Sequence, residues 1–164
     1  MYPQIVILFL LSLAATVEAA TVTEVYPDIW MITNHAGGLT DYDYFSIFTY
    51  EFPYMGISIN GVHFNKYRRI DREHYDLAKK QLYSTADHDG VHMMSWKFPR
   101  SMPVGQHELA IFCSEKDDPT EREGVMLLLP IQCESVPVAL LPESLYPRLC
   151  KVMPEGSRLR EPID

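Results

Sequence analysis

The segment INGVHFNKYRRIDREH, residues 59–74, holds two histidines, four basic side chains and two acids. His63 and His74 titrate near neutrality and could act as a general acid and a general base. The arginines could hold a phosphate group. Together with a later histidine, these side chains could bind or cleave RNA. The residues of that hypothetical site are His63, Arg68, Arg69 and His92.

The same segment is also explained as a turn followed by the start of a helix. Asn60-Gly61 is a strong hairpin signal, because both central residues of such a turn need a positive φ. Asp71 is a good helix N-cap. Glu73 lies in the first turn, where acids complement the helix dipole. His74 is then predicted on the helix surface, and this structural interpretation accounts for nearly every residue.

A second cluster, DHDGVH at residues 87–92, contains the side chains of a conceivable metal site. Aspartate and histidine do bind divalent ions. The spacing matches no zinc motif, and Asp-x-Asp-Gly is also normal turn chemistry. We therefore predict no metal site and no cofactor. The residues weighed are Asp87, His88, Asp89 and His92, with His63 or His107 as additional ligands.

Nucleophilic catalysis is not favoured by the sequence. Cys113, Cys133 and Cys150 all lie in apolar strand patterns, where cysteine is usually buried. The chain has no G-x-S-x-G elbow. We therefore expect a protein that is not an enzyme.

The three cysteines also predict one disulfide and one free thiol. If residues 107–113 and 124–132 form a hairpin, Cys113 and Cys133 are separated by roughly 20 Å, at about 3.3 Å per residue. A bridge needs Cα atoms within roughly 7 Å. Cys133 and Cys150 come nearer, with a strand expected between them at roughly 10 Å. Cys133–Cys150 is the preferred pair.

The N-terminus predicts export. An apolar run from Ile5 to Ala15 precedes small residues, which is typical of a secretory signal peptide cut after Ala19. No later run is long enough to cross a bilayer, so we expect no membrane contact after cleavage. Without Glu18 the chain has 14 basic and 21 acidic residues. The resulting net charge of −7 opposes binding to RNA.

The remaining chain is long enough for one domain with a real core. Residues 71–84 predict a helix, because Tyr75, Ala78 and Leu82 recur at helical spacing. Later segments alternate as strands, and GVMLLLPI is suited to a central strand covered on both faces. One helix followed by three to five antiparallel strands indicates an α+β fold. The domain is expected at 20–153, with a polar tail at 154–164.

This layout resembles the ribonuclease-like secreted effectors of powdery-mildew fungi, relatives of the fungal guanyl-specific ribonucleases. PYMGISINGVHF before IDREHYDLAKKQL is similar to the turn and helix of that family. GVMLLLPI resembles its central strand, and VPVALLPESLYPRLCKVM its last two strands. The resemblance covers residues 54–153. It implies one main helix packed on an antiparallel sheet of about four to five strands.

The same resemblance implies a fold without catalysis. The early Tyr-x-Cys of the family would need a cysteine at Gly56. Its general base, a glutamate two residues before the central-strand proline, is replaced by Leu128, which cannot transfer a proton. The catalytic arginine has no counterpart in VPVALL, and the catalytic histidine would fall near Met153.

We therefore expect a secreted, non-enzymatic fungal effector that promotes virulence by binding a host protein, outside host cells or inside them. Tyrosine-rich loops supply rigid contact area at a low entropic cost. The expected contacts are the hairpin tip at 115–123 and the side chains of Tyr42, Tyr44 and Phe45.

Two alternatives stay open. One is an RNA-binding or RNA-cleaving protein that uses the His/Arg cluster. The other is a β-rich carrier of a small apolar ligand with an internal cavity. Plain core packing is the favoured explanation for the residues that would line it, which are Met93, Met94, Trp96 and Phe112.

Overall fold

The computed structural model describes residues 20–41, 43–63, 70–85, 91–100, 102–116 and 124–160. Within them, eleven strands form two antiparallel sheets beside one α-helix. The predicted signal peptide lies outside the described residues. In chain order the elements are β1 (Thr21–Tyr26), β2 (Ile29–Thr33), β3 (Gly38–Thr40), β4 (Tyr44–Thr49), β5 (Tyr54–Ile59), β6 (Val62–His63), α1 (Arg72–Thr85), β7 (His92–Lys97), β8 (Gly105–Ser114), β9 (Gly124–Ser135), β10 (Arg148–Val152) and β11 (Arg158–Leu159).

The strands divide into a small sheet and a large sheet. The small sheet has the order β1-β2-β4-β7. The large sheet has the order β3-β10-β9-β8-β5-β6, and β11 pairs with β9 beside β10. Residues 158–159, within the segment predicted as a polar tail, therefore form a strand of the large sheet.

The main core lies between the two sheets. Successive side chains of a strand point to opposite faces, so each strand contributes alternate residues to it. Phe45 and Trp96 of the small sheet are buried there beside Leu109 and Ile111 of the large sheet. Met94, Trp96 and Phe98, at alternate positions of one extended segment, share a face and all pack in this core.

A second, smaller core lies between α1 and the other face of the small sheet. Ala78 and Leu82 of the helix pack against Trp30 and Phe48, whose rings stack at 5.2 Å. Three layers result: α1, the small sheet and the large sheet. The large sheet has α1 on neither of its faces.

The predicted fold is therefore wrong. The α+β arrangement of one main helix on a ribonuclease-like sheet of four to five strands does not describe a mostly β protein with two sheets. Pro27 and Asp28, whose φ is 66°, form a tight turn that pairs Tyr26 with Ile29. The resulting β1–β2 hairpin contributes two strands to the small sheet.

Two turn and cap predictions are confirmed. Asn60 and Gly61 both have positive φ, 51° and 83°, and join β5 to β6 as a hairpin. The Asp71 carboxylate accepts a hydrogen bond from the backbone N–H of His74 at 3.0 Å, which is the geometry of an N-cap.

The preferred disulfide is also confirmed, with one correction. Cys133 and Cys150 are bonded. They face each other directly on the neighbouring strands β9 and β10, with Cα atoms 4.0 Å apart, so no strand lies between them. Cys113 is the free thiol at the opposite end of the β8–β9 hairpin. Burial raises its pKa to about 12, so it is not a reactive nucleophile.

Candidate functional site

A buried chain of polar side chains joins α1 to the small sheet. The Ser46 hydroxyl lies 2.7 Å from Nδ1 of His74 and 2.7 Å from the Ser95 hydroxyl. The Nε2 atom of His74 lies 2.9 Å from Oδ1 of Asn34. The backbone N–H of Asp71 donates to the Ser95 hydroxyl at 3.1 Å. His74 is therefore buried, and its predicted position on the helix surface is wrong.

The partners and the burial of His74 indicate the direction of these hydrogen bonds. Because Asn34 Oδ1 can only accept, Nε2 of His74 carries a proton. Burial lowers the pKa of His74 and so favours the neutral ring, in which Nδ1 is an acceptor. With a neutral ring, Ser46 donates to His74 and Ser95 donates to Ser46.

The contact between Ser46 and His74 has the atoms of a nucleophile and its base, but it has no access to a substrate. Both serines are 0% exposed and His74 is 2% exposed. A catalytic hydroxyl has to reach the atom that it attacks. The chain therefore satisfies buried polar groups and holds the start of α1 against the sheet.

The hypothetical RNA site is only partly within the described residues. Arg68 and Arg69 lie outside them. The backbone of His63 lies in β6 of the large sheet. His92 begins β7 of the small sheet, where it is half-buried. The two histidines thus belong to different sheets.

The expected partner-binding segment is largely internal where it is described. Tyr42 lies outside the described residues. Phe45 is 0% exposed and packs against Trp96 and Phe98 between the sheets, so it cannot contact a partner. Tyr44 is half-buried, with the Lys97 ammonium 5.8 Å from its ring centroid. Of the hairpin tip at 115–123, residues 117–123 are outside the described part of the chain.

The residues proposed for a ligand cavity do not converge. Met93 faces α1, whereas Met94 and Trp96 face the core between the sheets. Phe112 belongs to the outer face of the large sheet, because its neighbours Ile111 and Cys113 point inward. The four side chains lie on three surfaces, and core packing explains three of them.

No group of three or more metal-ligating side chains occurs among the described residues. Asp87, His88 and Asp89 lie outside them. The nearest arrangement is a pair, in which Nε2 of His35 lies 2.9 Å from the Asp43 carboxylate. The same carboxylate accepts a hydrogen bond from the Thr40 hydroxyl at 2.6 Å. It therefore orders the loop beside β3.

The least expected surface is the connection between β9 and β10, which we call the apolar loop (residues 136–147). Ten consecutive residues, 136–145, are exposed. Monomeric proteins rarely present contiguous apolar surface without a binding role. Five large apolar side chains of the apolar loop are exposed, namely Val136, Val138, Leu140, Leu141 and Leu145.

The apolar loop is held in one shape from its base to its tip. At the base, the N–H of Val136 donates to the Pro147 carbonyl at 2.8 Å, just beyond the Cys133–Cys150 disulfide. At the tip, the N–H of Leu141 donates to the Val138 carbonyl at 3.2 Å. Three prolines, Pro137, Pro142 and Pro147, further restrict the backbone.

Leu140 stands at the tip of this loop in an unfavourable backbone conformation. Its φ is 71°, a region in which a bulky side chain is an outlier. It is also fully exposed, at 103%. Glycine or asparagine would fit this turn position with less strain. A strained and exposed leucine therefore indicates a functional requirement for its side chain.

The apolar loop also carries acidic charge. It contains Glu143, and Glu134 precedes it at the end of β9, whereas residues 134–147 contain no lysine, arginine or tryptophan. Both glutamates are exposed. Arg148, which follows the loop in sequence, is half-buried and donates to the Tyr146 carbonyl at 2.7 Å.

The sequence contains a signal for this loop. The resemblance assigns VPVALLPESLYPRLCKVM to two strands, whereas residues 136–147 connect β9 to β10. The proline spacing, at positions 137, 142 and 147, instead indicates a loop, since proline cannot donate to a sheet ladder. The exposure of the segment could not be inferred from its composition.

Helix α1, with 14 residues, is too short to cross a membrane, and no other described helix is long and apolar enough. Comparisons with models of protein families, with curated proteins and with solved structures find no match to this chain. No relative therefore links it to the ribonuclease-like effectors.

Proposed function

We propose that this chain is an exported, non-catalytic protein that binds another protein through the apolar loop. The observation that carries the proposal is Leu140, fully exposed with a φ of 71° at the tip of a rigid loop. The proposal is narrower than the fungal effector that the resemblance implies. It keeps export and a protein partner and leaves out the ribonuclease fold.

The physical argument is one of pre-organisation. Burying a leucine side chain stabilises a complex by about 1.5–3 kcal/mol. Ordering a flexible loop on binding would offset part of this gain. Because turns, prolines and the disulfide already fix the apolar loop, little ordering is left to occur. Leu140 would insert into a pocket, with Leu141 and Leu145 beside it.

A protein partner fits the loop better than a membrane does. Loops and helices that bind membranes usually carry lysine or arginine toward anionic lipids, with tryptophan at the interface. Residues 134–147 contain none of these and carry two glutamates. Anionic lipid would repel the apolar loop, whereas a protein pocket with a basic rim would attract it.

Two further observations support export and a non-catalytic role. The Cys133–Cys150 disulfide supports export, because disulfides persist in oxidising compartments. The burial of Ser46 and His74 supports a non-catalytic role, because this pair has the atoms of a nucleophile and base but cannot meet a substrate.

The test compares the exported chain, residues 20–164, with its Leu140→Asn variant as immobilised bait. Asparagine tolerates positive φ, so the loop keeps its shape while it loses its apolar tip. We expect the wild type to retain at least one protein from extracellular extracts in about 0.5 M salt, where charge attraction is screened. The variant should not retain that protein.

Leu159→Asn is the matched control, because Leu159 is also an exposed leucine but lies on β11. This variant should hold the same protein as the wild type. Identical capture by the wild type and Leu140→Asn would show that the apolar loop is not the binding surface. Binding of the wild type to neutral lipid vesicles, abolished by Leu140→Asn, would replace the protein partner with a membrane.

A further inference from the structure

The tip of the apolar loop is held by few contacts. Among the described residues, one backbone hydrogen bond closes the tip turn, from the Leu141 N–H to the Val138 carbonyl. Its length of 3.2 Å is at the upper end of the usual range. Leu140 lies inside this turn with a φ of 71°, a left-handed conformation that is costly for a residue with a Cβ atom. Extending the tip would therefore break one hydrogen bond and relieve the strain at Leu140.

The second half of the apolar loop is held more firmly. The N–H of Leu145 donates to the Pro142 carbonyl at 2.9 Å, and the N–H of Tyr146 donates to the Glu143 carbonyl at 3.1 Å. The Tyr146 carbonyl also accepts a hydrogen bond from the Arg148 guanidinium. Extending this half would break these three hydrogen bonds. We therefore expect local opening of the loop to begin at its tip.

A loop that can extend at an exposed tip is a substrate for endopeptidases. These enzymes bind several residues on each side of the bond that they cut, in an extended conformation. Exposed loop tips are the preferred sites of such cleavage. Residues 136–145 are all exposed, so an enzyme can reach both sides of the tip. The base of the loop can stay closed meanwhile, through the hydrogen bond between Val136 and Pro147.

The prolines of the apolar loop restrict which bonds can be cut. Many endopeptidases select a bond by the side chain that precedes it, and most do not cut a bond whose nitrogen belongs to proline, which has no N–H. Two bonds that follow a leucine or a tyrosine are protected in this way, Leu141–Pro142 and Tyr146–Pro147. The two that remain are Leu140–Leu141 at the tip and Leu145–Tyr146 in the firmly held half.

We propose that Leu140–Leu141 is a cleavage site for an extracellular endopeptidase whose specificity pocket accepts leucine. The Leu140 side chain is fully exposed and enters that pocket when the tip extends. Water adds across the peptide bond, and its C–N bond breaks. Leu140 gains a carboxylate and Leu141 gains an ammonium group. The reaction consumes only water, so it needs no cofactor from this chain.

The cut protein should remain one folded molecule. The pieces 20–140 and 141–164 each carry one cysteine of the Cys133–Cys150 disulfide, so the bridge joins them. The paired residues of β9 and β10 also lie outside the cut loop. Only the tip turn is lost, because the two new ends are no longer connected. Cleavage would therefore end the presentation of Leu140 and leave the sheet in place.

The first test is a brief digestion of the folded chain, residues 20–164, with chymotrypsin, which accepts leucine as well as aromatic side chains. Mass spectrometry identifies the first bond that is cut. We expect a first product that has gained the mass of one water molecule. It should separate into 20–140 and 141–164 only after the disulfide is reduced.

Three variants test the role of the side chain. Leu140→Asn should slow the cut by at least about tenfold, because asparagine does not fill an apolar pocket. Leu140→Phe should be cut at least as fast as the wild type, since phenylalanine fills that pocket. Leu145→Asn is the matched control, because Leu145 is an exposed leucine of the same loop. It should be cut at the rate of the wild type.

The outcomes separate this inference from the proposed function, on which the cleavage site does not depend. A first cut at another bond, or equal rates for the wild type and Leu140→Asn, overturns the cleavage site. Cleavage at Leu140–Leu141 in a chain that captures no extracellular protein would support the site and overturn the proposed function. Where capture does occur, we expect the cut chain to lose it. A cut chain that still holds the captured protein would show that cleavage does not end binding.

Discussion

At the scale of single residues, two positions go against local preferences. Leu140 is a bulky side chain with positive φ, and His74 is a titratable side chain buried between α1 and the small sheet. Neighbouring groups accommodate both. A turn hydrogen bond and the prolines restrict the backbone at Leu140, and Ser46 and Asn34 satisfy the two ring nitrogens of His74. Only Leu140 faces solvent, so only Leu140 can serve binding.

Leu140→Gly should not destabilise the protein, although it removes a large side chain. Relief of the left-handed conformation is worth about 1–2 kcal/mol and exceeds the entropic cost of glycine, about 0.5–1 kcal/mol. Urea unfolding should show a gain of up to about 1 kcal/mol. Leu141→Gly, at ordinary φ in the same turn, should lose about 1 kcal/mol. Equal losses in both variants would contradict strain at Leu140.

The protein should lose stability in acid through His74. Burial lowers the pKa of His74 below its ordinary value of 6.5. The unfolded chain then binds a proton more readily, so this contribution is complete above pH 6.5 and decreases as the pH falls from there toward the folded pKa. Asp71, Glu73 and Asp43 act in the opposite direction and limit the effect.

The measurement is the free energy of unfolding in urea at several pH values between 5 and 8. The limiting slope for one proton is about 1.4 kcal/mol per pH unit. The variant His74→Gln keeps polar atoms in the site but cannot titrate, so it should show a shallower slope than the wild type. Parallel curves for the two proteins would show that His74 does not titrate differently on folding.

At the scale of elements, the β9–β10 hairpin has two roles in one segment. Its strands lie within the large sheet, where Leu127, Leu129 and Ile131 are buried. The segment that connects the two strands is the exposed apolar loop. The Cys133–Cys150 disulfide links β9 to β10 close to the point where the loop begins, so it anchors the loop to the sheet.

Removing the disulfide should lower stability without unfolding the sheet. Its cysteines are 17 residues apart, and closure of a loop of this length is worth about 3 kcal/mol. Cys133→Ala/Cys150→Ala should lose about this much in urea unfolding, and reduction of the wild type should have the same effect. A loss below about 0.5 kcal/mol would mean that strand pairing alone holds the apolar loop in its conformation.

At the scale of the whole molecule, the three layers leave an uneven surface. Helix α1 covers one face of the small sheet and does not pack on the large sheet. The apolar loop connects two strands of the large sheet. An acidic net charge of −8 for the full chain keeps non-specific association low, so contact requires matched surfaces.

The acidic charge also predicts that RNA does not bind. NMR titration of the exported chain with a short guanine-containing RNA at about 150 mM salt should give no saturable shifts up to about 1 mM. The positions to observe are His63 and His92, together with Arg68 and Arg69. Saturable shifts at these residues would restore the RNA alternative and make residues 59–74 a site.

Several local features of this protein could be predicted from its sequence. The Asn60-Gly61 hairpin, the Asp71 cap and the shared face of Met94 and Trp96 are consequences of φ preference, capping and strand alternation over a few residues. Strand lengths also favoured Cys133–Cys150 over the other pairs, but they placed a strand between two cysteines that lie on neighbouring strands.

Which surfaces are buried became clear only from the packing of the two sheets and the helix. Strand periodicity gives two faces but not which neighbour covers each, so one expected sheet proved to be two. Phe45 and His74, assigned to the surface, are inside. The apolar loop, assigned to a strand, is outside. Burial depends on contacts between distant parts of the chain, and a local pattern cannot contain that information.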